Sequence, residues 1–134
     1  MPDRFDRLNI NAGRISAGLH EAGAYTTDLD AIVAEAERSL RVATHQKELP
    51  ESLHLRLVDL KKRIVDVRDS ILLKMQIVGD DIKREETVGD ALLHEYGDIG
   101  TRIVSLAERL NPALDRIDQE LLKPIAVVEE GKEP

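Results

Sequence analysis

Apolar residues recur along most of this chain in alternating steps of three and four, the spacing of one helix face. One stripe extends from Phe5 to Ala43, with Thr26 as its one polar position, and another extends from Val88 to Leu121. Between them lies the Leu53 stripe, which comprises Leu53, Leu57, Leu60, Ile64, Val67 and Ile71. Because narrow apolar stripes need a partner helix along their length, the sequence predicts an all-α fold.

Proline and glycine divide these stripes into helices. The segment 45–52 contains Pro50, which disfavours helix at the residue before it and suits a first helical position. The cluster Gly97-Asp98-Ile99-Gly100 predicts a second turn, which gives helices over about 3–47, 51–96 and 98–123. Asn111-Pro112 has the order of an N-cap and a first-turn proline, so the third helix is expected to kink or restart there.

We therefore expect an elongated antiparallel helical bundle of three long helices with coiled-coil-like packing. Four helices are the alternative, if the chain breaks at Gly79 and at Ala24–Thr27, where Thr27 is a candidate N-cap. The apolar register crosses Ala24–Thr27 unbroken, which favours one long first helix. Residues 1–123 are predicted to form a single domain, and residues 124–134 an acidic, solvated C-terminal tail.

Composition narrows the function classes. The core must be aliphatic, because Phe5, Tyr25 and Tyr96 are the only aromatic residues, and this weakens the case for a ligand pocket. The net charge of −7 argues against binding to nucleic acid and against a polybasic membrane contact. No cysteine is present, and no apolar run approaches the ~18 residues of a membrane span. The charged N-terminus lacks the pattern of a secretory signal, so we expect a cytoplasmic protein.

Ala-Gly recurs three times at a spacing of five, which places glycines at Gly13, Gly18 and Gly23. Five residues turn a helix by about 500°, so these glycines do not share a face. We interpret them as points of local flexibility and close backbone approach. The alternative is a docking surface of small residues for a partner.

Glu51 and His54 have the Glu-x-x-His spacing that di-iron bundles use, but no second such motif exists. A metal-binding, ferritin-like bundle that uses Glu51 and His54 is therefore the alternative function. Lys74, Asp81 and Glu85 interrupt the second stripe, and we expect the stripe to rotate and leave them exposed. No nucleophile-elbow motif is present.

These patterns predict a non-enzymatic helical interaction protein, such as an adaptor, a chaperone-like protein or an assembly subunit. It is expected to self-associate or to dock partner helices through its aliphatic stripes, most simply as a homodimer. No cofactor, nucleic acid or membrane span is expected. The residues predicted to bind the partner are Leu53, Leu57, Leu60, Ile64, Val67, Ile71, Gly13 and Gly18.

Overall fold

The computed structural model describes residues 4–84 and 88–127, with side chains from Ala12 onward. This part of the chain forms three helices, α1 (Arg4–Thr44), α2 (Glu51–Arg84) and α3 (Asp90–Glu120). The predicted all-α bundle of three long helices is confirmed. Acidic residues in the first turns of α2 and α3, and basic residues in the last turns of α1 and α2, suit the helix dipoles.

The helices run up, down and up, and α1 packs closely against both of the others. Contacts between α1 and α2 are antiparallel, since Glu21 pairs with Lys74 and Glu35 with Arg63. Those between α1 and α3 are parallel, as Asp30 pairs with Arg109 and, further along both helices, Thr44 accepts a hydrogen bond from Arg116. Helices α2 and α3 approach each other less closely than either approaches α1. The bundle therefore has two tight seams and one open seam, between α2 and α3.

An aliphatic core fills the space between the three helices, as the stripes predict. Its largest fully buried side chains come from all three helices and from the first connection. They are Ile15, Leu19, Val33, Leu40, Leu49, Leu57, Leu60, Ile64, Ile71, Val78 and Ile117. Leu, Ile and Val interdigitate at such seams without the help of aromatic rings.

The connection between α1 and α2 is the predicted turn, and the start of the predicted tail packs against it. The N–H of Leu49 donates to the carbonyl of Pro124 (2.9 Å), and the N–H of Ala126 donates to the carbonyl of Leu49 (2.7 Å). Lys123 Nζ donates to the carbonyl of Ala43 (3.0 Å) near the C-terminus of α1. Residues 124–126 are therefore fixed to the bundle rather than fully solvated, and residues 128–134 lie outside the described part.

The predicted second turn at Gly97–Gly100 is wrong, because both glycines lie inside α3. Helix α2 instead ends at Arg84 and α3 begins at Asp90, where Gly89 forms the N-cap with an extended backbone (φ −61°, ψ 145°). The apolar register continues across Gly97 and Gly100. Burial of the apolar residues of α3 against α1 and α2 therefore outweighs the low helix propensity of these two glycines.

Three further candidate breaks also lie inside helices. Helix α3 does not restart at Asn111, because it continues to Glu120 with Pro112 inside it. Ala24–Thr27 lies within α1, where the Thr26 and Thr27 hydroxyls donate to the carbonyl of Gly23 instead of capping a new helix. Gly79 lies within α2, so the four-helix alternative is excluded.

Candidate functional site

The residues predicted to bind a partner are mostly placed inside the bundle. Leu53, Leu57, Leu60, Ile64 and Ile71 are buried in the core, and Val67 is half-buried against it. Gly18 is buried against Val78, whereas Gly13 is exposed with open space beside it. The Leu53 stripe therefore contacts α1 and α3 of its own chain, and any partner surface must be formed by other residues.

A second apolar surface lies on the opposite side of α2. Five large aliphatic side chains there are substantially exposed, with Leu73 at 60%. We call this surface the outer face of α2, and it consists of Leu55, Val58, Leu72, Leu73 and Ile77. At ~100° per residue these positions fall within an arc of about 140° that does not overlap the buried stripe.

The outer face is divided along its length. Leu55 and Val58 form an apolar cluster near the start of α2, and Leu72, Leu73 and Ile77 form another near its end. Between them, the exposed positions carry charges, chiefly Lys62, Asp66 and Asp69. This order of apolar, charged and apolar segments is the main chemical feature of the surface.

Leu72 also lines a cavity of about 330 Å³ in the open seam between α2 and α3. Leu29, Ile71 and Leu110 line it from the core, and Ile103 and Ala107 contribute from α3. Polar groups at the cavity come from Arg68, Asp69 and Asn111. The apolar surface of α2 therefore extends from its outer face into this seam.

A polar crevice of about 530 Å³ lies on the other side of α3, between α1 and α3. It is lined by hydroxyl groups, including those of Thr26, Thr101 and Ser105. Its Arg109 donates to Asp30 and, at 2.8 Å, to Glu37, and these hydrogen bonds raise the pKa of Arg109. Since Arg109 pairs with α1 across the seam and Arg102 pairs with Asp98 within α3, we assign the crevice a structural role.

Two polar residues that interrupt the second stripe are less exposed than the sequence suggested. Asp81 is 8% exposed and accepts a hydrogen bond from Arg14 (2.6 Å). Lys74 is half-buried and pairs with Glu21 (2.6 Å). Their hydrogen bond, and then their charges, lower the pKa of Glu21 and raise the pKa of Lys74. Both pairs join α1 to α2, whereas Glu85 lies outside the described residues.

The candidate ligands of the alternative, metal-binding function do not gather a metal site. Glu51 is exposed in the first turn of α2, and His54 is half-buried one turn later. Across residues 4–84 and 88–127, no three histidine or acidic side chains come together as a metal centre would require. Nor is any helix of this part of the chain long and apolar enough to cross a membrane.

Sequence reasoning missed the outer face of α2. Its signal was present, because Leu55, Val58, Leu72, Leu73 and Ile77 are apolar residues left over once the Leu53 stripe has been assigned. Comparisons with protein-family models, with curated proteins and with solved structures find no match to this chain.

Proposed function

We propose that this chain is a non-enzymatic interaction protein that binds helices, its own or those of a partner, through the outer face of α2. The observation that carries the proposal is the second apolar side of α2. Helix α2 packs into the core through its other side, by the Leu53 stripe together with Met75 and Val78. The five exposed aliphatic side chains lie outside that packing surface.

The extent of this surface along α2 supports the proposal. Five aliphatic side chains, each about half exposed, together present on the order of 400 Å² of apolar surface, divided between the two clusters. Grooves and faces of this kind recognise amphipathic helices through anchors spaced at three, four and seven residues. Val58 and Leu72 lie fourteen residues apart, so they fall on nearly the same line along α2.

Site-directed photo-crosslinking in the native cells tests this function. A photoreactive amino acid replaces Leu73 on the outer face, and a matched variant carries it at Arg38, which is exposed on α1. We expect protein adducts from position 73 and none from position 38. Absence of adducts at position 73, or equal adducts at both positions, would refute the proposal. The mass of the adduct shows whether the partner is a second copy or another protein.

A further inference from the structure

The outer face of α2 is complementary to itself when two copies meet antiparallel. Val58 and Leu72 lie equally far from Val65, and Leu55 and Ile77 lie equally far from Asp66. A two-fold axis near these central residues therefore places each apolar cluster on the opposite cluster of the second copy. Such an isologous arrangement is the usual basis of homodimers.

Of the three charges between the clusters, Lys62 and Asp69 select the antiparallel orientation. Asp66 lies beside the axis, so it faces its own copy in either orientation and opposes association equally in both. Lys62 and Asp69 are exposed and lie at equal distances on either side of the same axis. An antiparallel pair therefore sets Lys62 against the partner's Asp69, and the symmetry makes this contact twice. A parallel pair would set lysine against lysine and aspartate against aspartate, which opposes association.

From this complementarity we propose that a second copy of the chain occupies the outer face of α2, so that the protein forms an antiparallel, two-fold dimer through α2. The inference rests on the proposed function, because it uses the same surface, and it names the partner. Residues 55–77 span roughly 34 Å of helix at ~1.5 Å per residue. A contact one helix wide buries on the order of 700–1000 Å², which is typical of a weak dimer. We expect a dissociation constant of about 10–100 μM.

Charge-reversal variants of the full chain test the contact. Lys62→Glu and Asp69→Lys each replace two attractive contacts with two repulsive ones, so each variant should weaken the dimer by about tenfold or more. An equimolar mixture of the two variants restores opposite charges at both contacts, and a heterodimer should form. Sedimentation equilibrium from about 1 μM to 1 mM measures these constants around the expected affinity. Arg38→Glu, an exposed reversal on α1, is the control and should leave the dimer unchanged.

Spin labels report the orientation. The chain has no cysteine, so Ser70→Cys and Ser52→Cys each introduce one labelling site on an exposed position of α2. In the antiparallel dimer the two labels at position 70 are separated by about 14 Å along the axis, and those at position 52 by about 40 Å. A parallel dimer would give both pairs the same short separation.

A dimer that shows the heterodimer rescue and the two label separations supports the inference. A chain that stays monomeric up to 1 mM overturns it, as does a dimer that neither charge reversal affects. Circular dichroism of each variant checks that the helices remain, which is expected because the altered positions are exposed. If the chain is monomeric but position 73 still crosslinks to another protein, the proposed function stands and only the dimer is refuted.

Discussion

Among the glycines, Gly18 is the one whose missing side chain shapes the contact between α1 and α2. A Cβ atom at Gly18 would lie 2.6 Å from Cγ2 of Val78, a buried and branched side chain with little freedom to move. At Gly23 the same atom would meet nothing within 4 Å. Gly18 therefore permits a close approach of the two helices, whereas Gly23 only weakens α1.

Alanine substitutions separate these two roles. Gly23→Ala should stabilise the bundle by about 0.5–1 kcal/mol through its higher helix propensity. Gly18→Ala should destabilise it by about 1–3 kcal/mol, because the extra methyl group overpacks the seam at Val78. Urea unfolding monitored by circular dichroism measures both free energies. If Gly18→Ala instead stabilised the protein, the contact between α1 and α2 would have to accommodate the extra methyl group without strain.

The pair of Glu21 and Lys74 makes the contact between α1 and α2 sensitive to acid. The pKa of Glu21 lies below its ordinary value in the folded state, so the pair contributes stability above the ordinary carboxyl pKa. That contribution is lost as the pH falls through the folded pKa of Glu21. Lys74→Met should raise the pKa of Glu21 towards its ordinary value in an NMR titration. An unchanged pKa in that variant would exclude Lys74 as the cause.

At the scale of the helix, α3 shows how packing overrides local signals. Gly97, Gly100 and Pro112 all disfavour helix, yet α3 extends from Asp90 to Glu120. Buried residues occur along its length, including Ile99, Leu106 and Ile117. Their burial against α1 and α2 offsets the propensity costs of the glycines and the proline.

Substitutions at Asn111 and Pro112 test the continuity of α3. In a continuous helix, Asn111→Ala should stabilise the protein by about 0.5 kcal/mol and Pro112→Ala by about 1–3 kcal/mol. If a new helix started at Asn111, loss of its N-cap would instead destabilise the protein by about 1 kcal/mol. The midpoint of urea unfolding distinguishes the two outcomes by its direction.

For the whole molecule, the two apolar sides of α2 should differ in their energetic roles. Leu57 is fully buried and Leu73 is 60% exposed, although both are leucines of the same helix. Leu57→Ala should destabilise the bundle by about 2–5 kcal/mol, because it leaves a cavity in the core. Leu73→Ala should change stability by no more than about 0.5 kcal/mol. Denaturant unfolding at low protein concentration gives both values, and equal losses would contradict the burial pattern.

The period of the apolar residues was enough to predict which segments form helices and which residues form most of the core. The spacing of apolar residues at three and four positions is a local property of the chain, so residues such as Leu57 and Ile64 could be assigned to one face from the sequence. The unbroken register across Ala24–Thr27 likewise predicted the long first helix. The first turn followed from Pro50, because proline acts on its immediate neighbours.

Only the tertiary structure decided where α2 ends and which apolar surface remains open. Several glycines offer the same local signal, and the choice among them depends on tertiary packing, as the close approach of Tyr96 on α3 to Gly79 on α2 illustrates. Helix α2 carries apolar residues on two sides, and the sequence marks both alike. The positions of α1 and α3 bury one side and expose the other, because burial depends on which helices are neighbours and not on the residues alone.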